Sequence, residues 1–403
     1  MMQSTSAPAL RARSAALTGA AFLMATSAVG PGFLTQTTVF TARLGASFGF
    51  AILMSVLLDV AAQLNIWRVI AVGERRAQDI ANLVLPGLGH LLALLIAFGG
   101  LAFNVGNIAG TGLGANALLE VDPRLGAAAS CVVAVSIFIV REAGRVMDRF
   151  TQTLGLVMIA LMLYVMITSA PPFGEAVART VWPVQIGTLE IVTLVGGTVG
   201  GYITFAGGHR LLDAGVHGVA ALPEVRRSAL TGIGVATLVR VTLFLAALGV
   251  VAGTDILSAA NPPAAVFEAA AGSAGRRMFG IVMWAAAITS VVGASYTSVS
   301  FLRSTVPIVD RRPQVATVLF ILLSTLIFLA VGRPVRLLIL AGAVNGMILP
   351  LSLTVMLVAA HRRVVVGEYR HPRGLTVAGA LTALLMSALG AWTLTRELPR
   401  LFA

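Results

Sequence analysis

The chain alternates long apolar runs with short polar joints from one end to the other. Eleven runs stand out, at about 16–42, 46–72, 86–113, 124–140, 150–170, 188–213, 228–253, 278–302, 314–331, 335–360 and 374–394. Most approach or exceed the roughly 20 apolar residues that a helix needs to cross the hydrocarbon layer. A backbone inside lipid must satisfy its own hydrogen bonds, so the pattern predicts an all-α, polytopic membrane protein. Two runs depart from it. The first is interrupted by Gly30-Pro31-Gly32 and continues into the polar stretch Thr35-Gln36-Thr37-Thr38. The sixth reads Gly196-Gly197-Thr198-Val199-Gly200-Gly201-Tyr202-Ile203-Thr204, then Gly207-Gly208-His209-Arg210. Proline removes a backbone donor and glycine weakens helix, so both runs are expected to break near the bilayer middle. The freed backbone groups must then face protein or a water-filled cavity. Broken helices in matching positions five spans apart are the pattern of an inverted-repeat secondary transporter. Glycines placed for tight helix packing are the competing explanation.

Composition narrows the class. Of 403 residues, 58% are hydrophobic and 11% charged, whereas a soluble domain is about a quarter charged. That excludes a soluble enzyme and a nucleic-acid module. The net charge of +12 comes from 28 basic residues, all arginine. Seventeen fall on the N-terminal side of the expected topology and nine on the other, with Arg210 and Arg240 within or beside spans. This bias predicts a cell (inner) membrane protein with a cytoplasmic N-terminus and an external C-terminus. The charge therefore serves topology rather than a phosphate backbone. The first run continues through Gly30-Pro31-Gly32 and is not expected to be a cleaved signal peptide. The single Cys131 excludes an intramolecular disulfide. No His-Glu-x-x-His, Gly-x-Ser-x-Gly or phosphate loop occurs, and His90, His209, His217, His361 and His371 are scattered. An enzyme is not expected. One transmembrane domain over 1–403 is, with the bilayer and a small molecule as partners and no obligate protein partner.

At these residues the chain resembles a divergent member of the NRAMP (natural resistance-associated macrophage protein) family. Gly30-Pro31-Gly32-Phe33-Leu34 is similar to the opening of that family's first helix, and Arg76-Ala77-Gln78-Asp79-Ile80-Ala81 to the segment after its second. Ala102 to Leu119 resembles its third helix, Gly196 to Tyr202 its sixth, and Asn345-Gly346-Met347-Ile348-Leu349-Pro350 a stretch of its magnesium-transporting branch. The resemblance implies a LeuT-type fold: two inverted five-helix repeats, at about 16–170 and 188–360, and an eleventh helix at about 374–394. It also shows what is missing. The family's metal-binding Asp and Asn in the first helix have no acid to match them here. The methionine of the sixth helix aligns with Gly200, the following Pro with Gly201, and the third helix's Asp and Glu with Asn104 and Asn107.

A divalent cation needs carboxylates or soft sulfur, and asparagine cannot relay a proton. Two half-helices starting after Gly32 and Gly201 would instead present backbone N–H groups and positive dipole ends to an anion. The expected substrate site is Gly30, Pro31, Gly32, Thr35, Gln36, Thr37, Thr38, Gly200, Gly201, Tyr202 and Thr204, with Asn104 and Asn107 as contacts or interhelical glue. Gly200 and Gly201 are expected to leave volume for an organic group. A small carboxylate follows, and the resemblance adds 5-oxoproline, because relatives in this branch often neighbour genes for its hydrolysis. Asp59 is the candidate carboxylate for a coupling ion, H+ or Na+, or else pairs with Arg68 or Arg240. His209 and Arg210 serve gating or mark the membrane boundary, and Glu142 forms a loop salt bridge. Two further readings stay open: divalent metal (Mg2+ or Mn2+ class) transport through a non-standard site, and a transport-inactive, receptor-like membrane protein.

Overall fold

A computed structural model describes residues 30–399 except 252, 254 and 304, with the backbone alone at 141–152. Residues 16–29 of the first expected span, and Arg11, Arg13 and Arg400 from the orientation argument, lie outside the described residues. Helix occupies all eleven expected positions. In chain order the helices are α1 (Pro31–Leu44), α2 (Phe48–Gly73), α3 (Ala77–Val84), α4 (Leu88–Leu119), α5 (Pro123–Ile139) and α6 (Arg141–Thr168). Then come α7 (Phe173–Val181), α8 (Thr188–Thr198), α9 (Gly201–Asp213), α10 (Leu222–Val251) and α11 (Pro262–Arg303). α12 (Pro307–Arg311), α13 (Pro313–Val331), α14 (Pro334–Ala359), α15 (Arg363–Val366) and α16 (Arg373–Trp392) follow. Among the described residues, eight helical stretches can cross a membrane by length and composition, one of which, Pro31–Gly73, holds two expected spans. Thr153–Thr168 with Phe173–Val181, bent by 105°, makes a ninth, and α5 is shorter.

Several boundaries differ from the hydropathy reading, each for a physical reason. The segment 141–149, expected as a joint carrying the Glu142 salt bridge, is the first part of α6. α10 likewise begins at Leu222 rather than 228, with Pro223 and Glu224 in its first turn, where both residue types suit a helix start. Polar residues continue a helix beyond the lipid, and a hydropathy window does not register them. α3 and α7 were joints by sequence because eight or nine residues of mixed polarity are too short to show a period. α11 runs well upstream of 278 and breaks at Ala271 and Gly272, where Gly272 adopts φ 62°.

The broken span sits at the centre. Of its most apolar window, 89% is buried inside the protein, against 28% for α13 and for Arg373–Glu397. Large apolar side chains such as Leu57, Phe98, Leu125, Leu238 and Leu326 are exposed, as lipid-facing surfaces require. Between helices the contact is made by small residues. A Cβ on Gly196 would overlap the Gly342 carbonyl, and one on Gly346 the Val192 carbonyl, so α8 and α14 touch backbone to backbone. Gly114 and Gly280 do the same for α4 and α11.

Candidate functional site

The α8–α9 break spans Val199 (φ −125°, ψ 13°) and Gly200 (φ −56°, ψ 166°), conformations open to any residue. Glycine is required at 200 by space: a Cβ there would overlap the Gly196 carbonyl and stand 2.7 Å from Asn345 Cβ. The freed backbone groups are partly answered. Thr204 Oγ1 donates to the Val199 carbonyl at 2.7 Å, and the Tyr202 N–H donates to Asn345 Oδ1 at 3.3 Å. Asn345 Nδ2 in turn lies 2.9 Å from the Gly99 carbonyl and 3.0 Å from that of Ala341. Trp67 Nε1 fixes the first turn of α9 by donating to the Thr204 carbonyl at 2.7 Å. α1 opens at the Gly30-Pro31-Gly32 interruption, with Pro31 in its first turn and Gly30 extended before it.

Two expectations are corrected here. The α9 N-terminus is not wholly free, because Asn345 takes the Tyr202 N–H. Nor do Gly200 and Gly201 leave a void: Asn345 and the Gly196 carbonyl fill the space at 200, and Ile348 that at 201. In this conformation the centre is closed.

The expected substrate-binding side chains divide into spent and free groups. Thr38 Oγ1 donates to the Leu34 carbonyl at 3.0 Å, and Thr204 is occupied as described. Asn104 Nδ2 bridges Ser295 Oγ at 3.0 Å and Ser324 Oγ at 2.9 Å, tying α4 to α11 and α13, while its Oδ1 has no partner among the described residues. Gln36 Nε2 donates to the Leu338 carbonyl at 2.8 Å, while its Oε1 has no partner. Thr35 Oγ1, Thr37 Oγ1 and Asn107 Nδ2 are buried and also unpartnered among the described residues. Asn107 lies one helical turn from Gly110, which packs on Pro31 at the start of α1. A buried polar atom without a partner costs about 1–3 kcal/mol, and these lie on α1 and on α4 beside the start of α1.

Beside the break lies a second group. Asp59 on α2 is 1% exposed; its Oδ2 is 2.6 Å from Thr198 Oγ1, and its Oδ1 has no partner. Arg240 on α10 is 2% exposed, with Nε and Nη2 unpartnered and its guanidinium 4.6 Å from the centre of the Phe33 ring. Asp59, Thr198, Arg240 and neighbouring α10 residues line a cavity of about 10 Å³, room for one water. The alternative pairings of Asp59 are thereby sorted. Arg68 is turned to the Tyr369 hydroxyl at 3.2 Å, whereas Arg240 faces the same cavity as Asp59 with no ion pair within 4.0 Å. Sequence reasoning undervalued Arg240, though an arginine in an apolar run is itself a functional signal. It also passed over Thr198 and Asn345 as contacts, which are set by partners more than a hundred residues away.

His209 and Arg210 part company. His209 is buried, accepts the Ala77 N–H at Nε2 (2.9 Å) and stacks near Phe301, while Arg210 is exposed in the last turn of α9. Among the described residues no three His, Cys, Asp or Glu side chains converge as a metal would need.

The geometry is thus that of a multi-pass membrane protein in which the broken α8–α9 span packs against α1, with buried polar side chains between the helices. The chain belongs to the NRAMP family: it matches the Nramp description, "Natural resistance-associated macrophage protein-like", over residues 21–396. It is 54% identical over 387 residues to "Uncharacterized membrane protein YcsG" of Bacillus subtilis (strain 168), covering 96% of each chain. It is 50% identical over 388 residues to an "Uncharacterized membrane protein" of Haemophilus influenzae, covering 96% of this chain and 98% of that one. Among solved structures it is similar to variants of the Eremococcus coleocola manganese transporter. TM-scores are 0.76 and 0.75 at 14% identity, covering 96% and 95% of this chain and 88% of each of those. That likeness establishes the LeuT-type fold, two inverted five-helix repeats and an eleventh helix.

Proposed function

We propose that this protein is a secondary transporter that works by alternating access and carries a small organic anion, a carboxylate such as 5-oxoproline. It does so across the cell (inner) membrane, with a cytoplasmic N-terminus and an external C-terminus. The observation that carries this reading is Arg240: a buried guanidinium beside α1 and the end of α8 whose Nε–Nη2 edge, the edge that grips a carboxylate by two parallel bonds, has no acceptor among the described residues. Thr35, Thr37 and Asn107 add neutral donors, and the dipoles of α1 and α9 point positive ends at the same region. A substrate enters as the closed centre opens. Gly30, Pro31, Gly32, Gly200 and Gly201 shape that centre, and Gln36, Tyr202 and Thr204 line it.

The fold shared with a manganese transporter favours a second reading, a cation of the Mn2+ or Mg2+ class. Thermal stabilisation of the purified protein separates the two, because a ligand that binds only the folded state raises apparent stability by mass action. The anion reading expects a saturable shift with 5-oxoproline or another small carboxylate, abolished in Arg240→Gln, and none with Mn2+ or Mg2+. A saturable metal shift without a carboxylate shift overturns it. Uptake into proteoliposomes then distinguishes a carrier from a binding protein that does not transport.

A further inference from the structure

We propose that Asp59 is the coupling site, binding one proton per cycle, and that its ionised form competes with the substrate carboxylate for Arg240. This rests on the anion reading and adds the coupling ion and the way it is linked to substrate.

The argument begins with a single hydrogen. Thr198 Oγ1 lies 2.6 Å from Asp59 Oδ2 and 2.8 Å from the Leu194 carbonyl, yet a hydroxyl has one proton to donate. With Asp59 neutral, its O–H donates to Thr198 and Thr198 donates to Leu194; both acceptors are served and Arg240 remains available. When the proton leaves, Thr198 must turn its hydrogen to the carboxylate. The anion then attracts Arg240, which faces it across a space of one water. Drawing Arg240 to Asp59 removes the guanidinium from Phe33 on α1, and the turn of Thr198 alters the last residue of α8. One protonation event thus reaches both α1 and the end of α8. It also sets substrate affinity, since a guanidinium paired with Asp59 cannot hold a second carboxylate by the same edge.

The charges balance. A carboxylate and a proton enter together, Asp59 passes from anion to acid, and the loaded centre carries no net change in charge. Sodium does not suit the site, because the guanidinium opposes a cation and the cavity holds about one water. Arg240 is the charged group that acts on Asp59. On the helices packed against α2, Glu175, Glu190, Glu224, Arg210 and Asp213 stand in first or last turns, and His209 is engaged with Ala77.

The test is an infrared pH titration of the full-length protein in lipid, compared with Asp59→Asn and Asp59→Glu. The wild type should show a protonated-carboxyl carbonyl band that comes and goes with pH. The band should be absent in Asp59→Asn, retained at a shifted frequency in Asp59→Glu, and its transition displaced in Arg240→Gln. Identical titrations of wild type and Asp59→Asn overturn the proton site. In proteoliposomes with the potential clamped, a one-unit pH gradient should drive about tenfold accumulation of 5-oxoproline at one proton per substrate. Asp59→Asn should keep counterflow exchange and lose that accumulation; accumulation that survives in Asp59→Asn overturns the coupling. The infrared measurement needs no substrate. Absent 5-oxoproline uptake with the titration intact therefore counts against the substrate reading alone.

Discussion

Asn345 holds the first turn of α9 by accepting the Tyr202 N–H at its Oδ1, 3.3 Å away, while its Nδ2 faces the carbonyls of Gly99 and Ala341. One amide thereby joins α14 to α4 and to the helix that begins at the break. Asn345→Ala leaves the buried Tyr202 N–H short of a partner and takes a second donor from the Gly99 and Ala341 carbonyls, which keep their helical bonds, so it should destabilise by about 1–3 kcal/mol. Asn345→Asp, which keeps the acceptor but loses the donor facing two carbonyls, should also be less stable than wild type. A thermal midpoint in detergent unchanged in both variants would remove Asn345 from this role.

Close approach of α8 and α14 makes a sharper demand. A methyl group on Gly196 meets the Gly342 carbonyl and the Gly346 nitrogen, both backbone atoms in helices that cannot bend aside locally. Gly196→Ala should therefore cost at least the 1–3 kcal/mol typical of overpacking. Gly234 on α10 has nothing within 4 Å of a Cβ, so Gly234→Ala should be neutral or stabilising by up to about 1 kcal/mol. Equal shifts in the thermal midpoints of the two variants would contradict the packing described.

These contrasts explain what could be read along the chain and what could not. The helical positions along the described chain and the interruption at Gly200-Gly201 were legible because lipid imposes a length on helices and because adjacent glycines weaken them locally. The glycines at 196 and 200 were legible as a break but not as a contact, since the atoms that fill their space belong partly to Gly342 and Asn345 on α14. Asp59 was visible as an acid in an apolar run, but its relation to Thr198 and Arg240 arises only when α2, α8 and α10 are brought together. Asn104 and Asn107, three apart on one face, looked equivalent in sequence. Packing spends the Asn104 amide nitrogen on Ser295 and Ser324 and leaves that of Asn107 free.

Thr37 offers a test of where substrate sits. Its Oγ1 is buried without a partner among the described residues, so Thr37→Ala relieves an unsatisfied hydroxyl while deleting a buried methyl, opposing effects of about 1 kcal/mol each that should leave stability within about 1 kcal/mol of wild type. If the hydroxyl meets the substrate, the variant loses a neutral hydrogen bond of about 1 kcal/mol, or about fivefold in 5-oxoproline affinity. Unchanged affinity and rate in this variant would place the substrate elsewhere.

The connection between α15 and α16 supplies the pH dependence. His371 Nε2 donates to Asn65 Oδ1 at 2.8 Å, and Asn65 Nδ2 in turn reaches the carbonyls of Ala61 and Leu375. Burial, with Arg68 and His361 adding like charge, pushes His371 down to about 4. The unfolded chain, with histidine near its ordinary value of about 6.5, therefore binds more protons than the folded one between these limits. Stability from this residue is complete above about pH 6.5, falls as pH drops towards about 4, and changes little below that. A His371→Asn variant lacks the titration, so its thermal midpoint should fall less steeply than that of wild type over the same window. Parallel midpoint curves for the two proteins between those pH values would show that His371 is not the group responsible.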